Sequence, residues 1–260
     1  MLNSKVAVIT GSTSGIGLEI ARALAHQGCN IVLNGLGSEE QIDKLRRDIA
    51  ETYGVLVEYQ GADMRYPEQI EAMVKATVDR FGKIDIVVNN AGIQHVAPVE
   101  EFSNDAWDTV LAVNLSSVFH SIKAVTPLMK QQGWGRIVNV ASIHGMVASP
   151  YKSAYVAAKH GVLGLTKTVA LELAQTGITC NAVCPGYVLT PLVENQVSDT
   201  AKARGMSEQQ VMDEVILGGQ PTKRFTKSED IAAMVVFLCG SAASNITGSS
   251  QVMDGGYTAC

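Results

Sequence analysis

Residues 6–25 read as a strand, a glycine-rich turn and a helix, and this unit constrains the fold more than any other stretch. Residues 6–10 form a short apolar run, which is typical of a parallel strand buried on both faces. Glycines follow at positions 11, 15 and 17, and residues 18–25 then show the apolar spacing of a helix. A strand that passes through a tight turn into a helix is typical of an α/β fold.

The glycine turn lies where a phosphate-binding loop is needed. Glycines let the backbone approach a pyrophosphate, and the helix that follows offers unpaired N–H groups to its negative charge. The spacing G-x-x-x-G-x-G differs from the usual G-x-G-x-x-G, and the alternative is an ordinary tight turn. The position between strand and helix favours phosphate binding. The predicted cofactor contacts here are Gly11, Thr13, Ser14, Gly15, Ile16 and Gly17.

Six further apolar runs alternate with helical patterns along the chain. The predicted strands are residues 30–34, 55–59, 84–88, 136–141, 179–184 and 250–254, and the main helices are 41–53, 67–81, 107–129, 151–174 and 228–238. Strands that alternate with helices predict a doubly wound Rossmann-type sheet of seven parallel strands. No repeat or linker interrupts the pattern, so residues 1–260 are predicted to be one catalytic domain.

A long polar stretch follows the sixth predicted strand. Residues 191–196 and 207–217 within it have short helical patterns. An insertion of this length after a strand's carboxyl end is typical of a mobile element over an active site. We therefore expect a helical substrate lid at about residues 189–221.

Three residues near the middle of the chain form a candidate catalytic group. Ser142 follows the strand at 136–141, and Tyr155 and Lys159 are four residues apart on the next helix and so share a face. An ammonium beside a phenol lowers its pKa from about 10, which suits an acid/base catalyst. The alternative is an ordinary amphipathic helix with a solvated lysine. Ser142 and the glycine turn favour catalysis.

The residues after the second strand bear on the choice of cofactor. An acidic residue there bonds ribose hydroxyls and an arginine holds a 2′-phosphate, but this chain has Leu36 between two glycines. The nearest downstream base is Lys44, so the sequence predicts NAD rather than NADP. Asp63 is a candidate for the adenine amino group, and its alternative role is to cap a turn.

Two asparagines lie where a side chain can form hydrogen bonds that hold neighbouring segments together. Asn90 ends the fourth strand, where it can join neighbouring loops. Asn114 lies inside an apolar helical pattern, which leaves two interpretations. Its side chain bonds the backbone, or it marks a bent helix whose freed groups hold a proton-relay water.

Composition excludes several classes of protein. A net charge of −5 and a pI near 5.5 disfavour a nucleic-acid partner. The five cysteines lack zinc-site spacing, so we expect no metal and reduced thiols in a cytoplasmic protein. No apolar run is long enough to span a bilayer, no signal peptide is evident, and we expect no membrane association.

These motifs together resemble the short-chain dehydrogenase/reductase family over essentially the whole chain. The resemblance implies a homotetramer in which Tyr155 is the acid/base, Lys159 lowers its pKa and binds the nicotinamide ribose, Ser142 orients the substrate oxygen and Asn114 supports the proton relay. It also implies cofactor contacts at Leu36, Asp63, Asn90, Tyr155, Lys159, Pro185, Gly186, Val188 and Thr190. Many NAD-using members carry an aspartate where this chain has Gly35, so the cofactor prediction depends on missing basic residues.

Within the family, the chain is most similar to bacterial enzymes that interconvert (R)-3-hydroxybutyrate and acetoacetate in ketone body metabolism. That similarity implies a small carboxylate substrate held by Gln94, Ser142, His144, Lys152, Tyr155 and Gln196. Two aromatic positions that are often tryptophan in that group are Tyr187 and Tyr257 here. Two alternatives remain open: an NADPH-dependent 3-oxoacyl reductase with a carrier-bound substrate, and a non-catalytic dinucleotide sensor.

Overall fold

The computed structural model describes residues 2–259, apart from the side chains of residues 191–196. Seven strands form a parallel sheet in the order β3-β2-β1-β4-β5-β6-β7, which confirms the predicted fold class. They are β1 (Val6–Ile9), β2 (Asn30–Leu33), β3 (Val57–Tyr59), β4 (Ile86–Asn89), β5 (Gly135–Val140), β6 (Ile178–Pro185) and β7 (Ser250–Met253).

Helices connect the strands and cover the sheet. They are α1 (Gly15–His26), α2 (Glu39–Tyr53), α3 (Pro67–Phe81), α4 (Asn104–Leu111), α5 (Ser117–Gln132), α6 (Ser153–Glu172), α7 (Pro191–Arg204), α8 (Glu208–Gln210) and α9 (Ser228–Cys239). Two π-helical segments, Ala112–Ser116 and Val211–Ile216, follow α4 and α8. None of the helices in the described part of the chain combines the length and apolarity that a bilayer crossing needs.

The sheet is buried on both faces because successive strand residues belong to different apolar clusters. In β1, Ala7 and Ile9 pack with α1, α2 and α9, whereas Val8 packs with α3, α5 and α6. All four residues of β1 are buried. This explains why the strands read as continuous apolar runs rather than as alternating ones.

The strand order places a crevice at the carboxyl ends of the strands, between β1 and β4. β1 pairs with β2 on one side and with β4 on the other, so the connection after β1 and the connection after β4 run in opposite directions along the sheet. Ligands of doubly wound sheets bind outside the carboxyl ends of the strands at this reversal. The loops after β1, β4, β5 and β6 therefore define where a site is expected.

Three predicted helices differ clearly from the structure, and the pattern at 207–217 is one of them, because it is divided into α8 and the π-helical segment Val211–Ile216. The pattern at 107–129 is divided into α4, the π-helical segment Ala112–Ser116 and α5. The lid helix predicted at 191–196 continues to Arg204, where Gly205 caps it in a left-handed conformation (φ 63°). Around this helix, the region predicted as a lid has an apolar cluster of its own, which includes Tyr187, Ala201, Val211 and Ile216.

Candidate active site

A cavity of about 600 Å³ lies at the carboxyl ends of the strands, in the expected crevice. It extends from the glycine loop after β1 to the loops after β5 and β6. Most of the site residues predicted from the sequence line it: Gly11, Thr13, Ser14, Gly15, Ile16, Leu36, Asp63, Asn90, Gln94, Ser142, His144, Lys152, Tyr155, Lys159, Pro185, Gly186, Val188 and Thr190. Gly17 and Asn114 lie outside its lining, and the side chain of Gln196 lies outside the described residues.

The glycine loop has the shape and the free donors that a pyrophosphate needs. Gly11 has a φ of 62°, and a Cβ there would lie 2.9 Å from the Cα of Ala91. α1 begins directly at the cavity, its N-cap residue Ser14 makes no side-chain cap, and its first turn carries no acidic residue. The amide groups of this helix end are therefore left for an anion.

Gly17 serves the packing of the loop rather than the cavity. A Cβ at this position would collide with the carbonyl oxygen of Gly11 and with the side-chain nitrogen of Asn90. The Asn90 Nδ2 atom donates to the carbonyls of Thr10 and Gly11, both at 2.9 Å. Asn90 thus joins the end of β4 to the glycine loop, as its position in the sequence predicted.

Asn34 is a structural residue of the site that sequence reasoning missed. Its Oδ1 accepts from the amide of Gly11 at 3.2 Å, and its Nδ2 donates to the carbonyls of Gln60 and Ala62 at 3.0 and 2.8 Å. This buried side chain joins the ends of three strands beneath the cavity. A polar residue that directly follows a buried apolar strand was the available signal.

Leu36 and Arg65 lie on the rim near the loops after β2 and β3. Leu36 is 93% exposed, and its carbonyl accepts from the Thr13 hydroxyl at 2.8 Å. Arg65 donates from Nε and Nη2 to the Asp63 carboxylate at 3.0 and 2.5 Å, and these bonds lower the pKa of Asp63. Sequence reasoning missed this cation because Arg65 follows a different strand. Its position two residues after Asp63 was the only signal.

Ser142, Tyr155 and Lys159 meet at the centre of the cavity. Ser142 follows β5 and accepts from the amide of His144 at 3.1 Å. Lys159 lies on α6 one turn after Tyr155, and its Nζ is 5.5 Å from the centre of the tyrosine ring. The same Nζ donates to the carbonyl of Val140 at 2.8 Å, which fixes the ammonium on the end of β5.

Burial dominates the titration of this group. It raises the pKa of Tyr155, and a hydrogen bond with Ser142 opposes the rise. Burial also lowers the pKa of Lys159 to about 8. The predicted net lowering of the Tyr155 pKa by Lys159 is therefore wrong for the ligand-free structure. The sequence shows which charge is near the phenol but not how completely both groups are removed from water.

Asn114 lies in the π-helical segment and is fully buried. Its Oδ1 accepts from the amide of Ile93 at 3.0 Å, and its Nδ2 donates to the carbonyl of Ile93 at 2.8 Å. The side chain therefore bonds the backbone of the loop after β4, which is one of the two interpretations of the sequence. A π-helical turn also loosens the local hydrogen bonding and is frequent at functional sites. The relay role of Asn114 stays a prediction.

Lys152 and His144 give the far end of the cavity its electrostatic character. Lys152 directly precedes α6, is 6% exposed, and has a pKa that burial and then the charge of Arg204 lower to about 8. It is therefore not a solvated loop residue. Burial and then the charge of Lys152 lower the pKa of His144 to about 4, so its imidazole is neutral at pH 7.

Two buried nitrogens of residues that line the cavity are unsatisfied. Gln94 Nε2 and His144 Nδ1 have no hydrogen-bond partner among the described residues. Buried polar atoms normally have partners, so such atoms in a cavity indicate a polar ligand. Four rings surround this end: the His144 ring packs edge-to-face with Tyr155, Tyr187 and Tyr257 at centroid distances of 6.2–6.4 Å. No group of three metal-ligating side chains occurs in the described part of the chain.

Comparison with known proteins assigns the chain to a family. Residues 11–258 match the family model described as enoyl-(acyl carrier protein) reductase. A D-beta-hydroxybutyrate dehydrogenase of Rhizobium meliloti is 56% identical over 98% of this chain and 99% of its own length. A protein of the same name from Cupriavidus necator is 52% identical over 100% of both chains. This chain belongs to the short-chain dehydrogenase/reductase family.

Solved structures that resemble this short-chain dehydrogenase/reductase share its whole fold. A variant of actinorhodin polyketide ketoreductase with NADPH has a TM-score of 0.91 at 38% identity and covers 98% of this chain and 97% of its own. Levodione reductase has a TM-score of 0.91 at 36% identity and covers 99% of each chain. Members of the family are oxidoreductases that bind a nicotinamide dinucleotide. The glycine cradle and the uncapped start of α1 fit such a cofactor.

Proposed function

We propose that this protein is an NAD-dependent dehydrogenase that interconverts (R)-3-hydroxybutyrate and acetoacetate. The observation that carries the proposal is the buried ammonium of Lys152 in the same cavity as Tyr155. An ammonium that lines a ligand cavity attracts an anionic ligand, and this attraction is stronger at a buried site than in water. Gln94 and His144, which carry the two unsatisfied nitrogens, line the same cavity and favour a ligand with several acceptor oxygens. Relatives at 52–56% identity that bear this name support the assignment.

The residues of the cavity have different roles in the reaction. Oxidation of a secondary alcohol removes a hydride from carbon and a proton from oxygen, and NAD supplies the hydride acceptor. The phenol oxygen of Tyr155 exchanges the proton, with Ser142 as its hydrogen-bond partner. Lys159 holds a positive charge near the tyrosine ring. Lys152 binds the substrate carboxylate, and the neutral imidazole of His144 adds a donor without adding charge.

A carrier-bound 3-oxoacyl substrate fits this cavity less well. Relatives with that activity in their names include a 3-oxoacyl-[acyl-carrier-protein] reductase of Staphylococcus epidermidis, 38% identical over 97% of this chain. A thioester has no carboxylate, so it offers no negative charge to the buried ammonium of Lys152. The intact Tyr155 and Lys159 likewise disfavour a non-catalytic sensor.

A substrate panel tests the proposed function. NADH or NADPH formation is followed with 3-hydroxybutyrate, 2-hydroxybutyrate and the methyl ester of 3-hydroxybutyrate, each offered with NAD and with NADP. We expect the highest kcat/KM for (R)-3-hydroxybutyrate with NAD. A preference for the ester over the free acid would overturn the assignment, and so would activity confined to long acyl thioesters.

We predict that Leu36→Arg moves cofactor preference from NAD toward NADP. Among the described residues, Arg65 is the cation on the rim near Leu36, and it is already engaged with Asp63. A new charge-assisted contact with the 2′-phosphate contributes about 1.5–3 kcal/mol, roughly one to two decades in affinity. The ratio of Kd values for the two cofactors measures this, with Leu36→Gln as the uncharged control. A wild-type protein that already prefers NADP would contradict the prediction.

We also predict that residues 189–221 act as a lid. The segment packs around its own apolar cluster, separate from the two clusters of the sheet. Such a unit can move without opening the main core. Hydrogen exchange should slow in this segment when NAD and substrate are added together, whereas α3 should be unchanged. Equal protection with and without ligands would argue against a lid.

The quaternary structure is a further part of the proposal. α5 and α6 present Phe119, which is 47% exposed, and Leu171, which is 80% exposed. Apolar side chains on helix faces that no other element covers favour burial against further copies of the chain. A cytoplasmic homotetramer accounts for these faces and for four buried free cysteines among the described residues. Light scattering gives the mass directly.

A further inference from the structure

We propose that Arg204, the last residue of α7, is a positioning residue that holds Lys152 in the substrate cavity when the lid is closed. The proposal rests on the proposed function, because it assigns Lys152 to the substrate carboxylate. Two distant parts of the chain, the end of α7 and the turn before α6, meet at one small cavity. Arg204 belongs to the predicted lid, whereas Lys152 belongs to the turn that leads into α6.

The turn that carries Lys152 has a strained backbone. Tyr151 has a φ of 67°, in the left-handed region that a tyrosine rarely adopts. Such a conformation is unfavourable and persists only when the surroundings enforce it. One enforcing contact is the hydrogen bond from the amide of Ala97 to the carbonyl of Tyr151 at 3.0 Å. Another is Arg204, whose guanidinium carbon lies 5.7 Å from the centre of the Tyr151 ring.

Arg204 and Lys152 face each other across a small second cavity. Its volume is about 10 Å³, and both residues line it together with Tyr151 and Tyr187. A space of this size holds one water molecule at most. The Lys152 ammonium lies 5.5 Å from the centre of the Tyr187 ring, so each cation has a tyrosine as its neighbour. Movement of Arg204 would therefore open the wall behind Lys152.

The two cations repel each other, and this repulsion links the lid to the substrate. The described residues that line the two cavities around Lys152 include His144 from the turn after β5, Tyr155 from α6, Tyr187 from the loop after β6 and Arg204 from α7. His144 is neutral at pH 7 and burial raises the pKa values of both tyrosines, so among these four Arg204 carries the charge. A carboxylate beside Lys152 offsets the repulsion. Ligand binding then favours the state in which Arg204 is in place.

α7 also connects both ends of the main cavity. Thr190, which lines the cavity on the cofactor side, directly precedes the helix. Arg204 ends it beside the substrate anchor. The Nε atom of Arg204 is buried and has no hydrogen-bond partner among the described residues. The start of α7 would be fixed by the cofactor, and its end by the carboxylate bound to Lys152. The helix therefore closes only when both ligands are bound.

Arg204→Met tests the assignment with two matched variants. Methionine keeps an unbranched side chain but removes the charge, Arg204→Lys keeps a charge, and Lys202→Met removes an exposed charge from the same turn. We expect Arg204→Met to raise KM for 3-hydroxybutyrate several-fold, which is less than the loss of at least about tenfold expected for Lys152→Ala. Its effect on the methyl ester and on the Kd for NAD should be small. Equal losses on acid and ester, or an equal effect of Lys202→Met, would overturn the proposal.

A second readout needs no substrate. The pH dependence of Lys152 acetylation by acetic anhydride, measured by mass spectrometry on the ligand-free protein, reports its ionisation. Arg204 lowers the pKa of Lys152 after burial, so Arg204→Met should move the midpoint upward from about 8, whereas Arg204→Lys should leave it near the wild-type value. An unmoved midpoint overturns the role of Arg204 even if the wild type oxidises 3-hydroxybutyrate. A shifted midpoint in a protein that ignores 3-hydroxybutyrate instead refutes the proposed function alone.

Discussion

Tyr155→Phe is expected to lower kcat by at least about 10²–10⁴-fold, the usual contribution of a general acid/base. The substitution removes only the hydroxyl that exchanges a proton with the substrate oxygen and leaves the ring beside Lys159 in place. NAD binding should therefore change little. Steady-state oxidation of 3-hydroxybutyrate and NADH formation in a single turnover both measure the loss.

A second buried tyrosine of the same cavity serves as the control. Tyr187 is 7% exposed, and its ring contacts His144 and Lys152. Tyr187→Phe should therefore lose far less activity. If Tyr155→Phe kept near-normal kcat, the catalytic assignment would be wrong.

The pH dependence of the wild type provides an independent check on Tyr155. Its pKa is raised by burial, so at neutral pH the protonated phenol predominates in the ligand-free site. Reduction of acetoacetate needs that proton, whereas oxidation of the alcohol needs the phenolate. Oxidation should therefore speed up as the pH rises, and reduction should slow down.

Lys152→Ala is expected to lower kcat/KM for 3-hydroxybutyrate by at least about tenfold, since loss of a desolvated charge partner costs ~2–5 kcal/mol. The methyl ester, which lacks the negative charge, should lose much less. General damage to the site would lower kcat/KM for the acid and the ester alike. The ratio of the two losses therefore measures the contribution of Lys152 to binding the carboxylate. Equal losses on acid and ester would show that Lys152 does not bind the carboxylate.

The same anchor makes binding of the acid sensitive to alkaline pH. The pKa of Lys152 is lowered to about 8, so the ammonium is charged below that pH and neutral above it. Affinity for the acid should therefore fall as the pH rises through about 8, while KM for the ester stays nearly constant. The Lys152→Ala variant should lack this alkaline loss.

The fold was predictable because the residues that decide it are local. Strands buried on both faces are continuous apolar runs, and all seven were recognised within a few residues. α3 has the predicted bounds, Pro67–Phe81, because proline starts it and Gly82 ends it at a φ of 74°. Proline at the first turn and glycine just past the last one are the strongest helix boundary signals.

The structure differs from the predicted helix bounds where a small local change in the backbone has a large geometric effect. The π-helical segment at Ala112–Ser116 keeps nearly the periodicity of an α-helix, so the pattern read as one helix. α7 is only weakly amphipathic, so its apolar spacing did not show that the predicted helix continues past residue 196. Gly205 was the available sign that it continues to Arg204.

In the site, too, residues that belong to local motifs were predicted from the sequence, whereas residues that act through distant partners were not. Motif spacing identified the residues that line the cavity, since each follows directly from a strand end or a helix face. Asn34, Arg65 and Arg204 were missed because their roles depend on partners that are distant in the chain, or on a neighbouring strand end. The titration of Tyr155 was also beyond the sequence, because burial rather than the nearest charge decides it.

The π-helical segment makes this part of the chain intolerant of a change in length. A π-helical turn contains one residue more than an α-helical turn, and each α-helical residue rotates the chain by about 100°. Deleting one residue from Ala112–Ser116 would therefore turn α4 and α5 relative to each other. Neither can follow, because α4 contacts α6 while α5 buries Val118, Ile122 and Val125 against the sheet. The segment accepts an exchange of residues more readily than a change in their number.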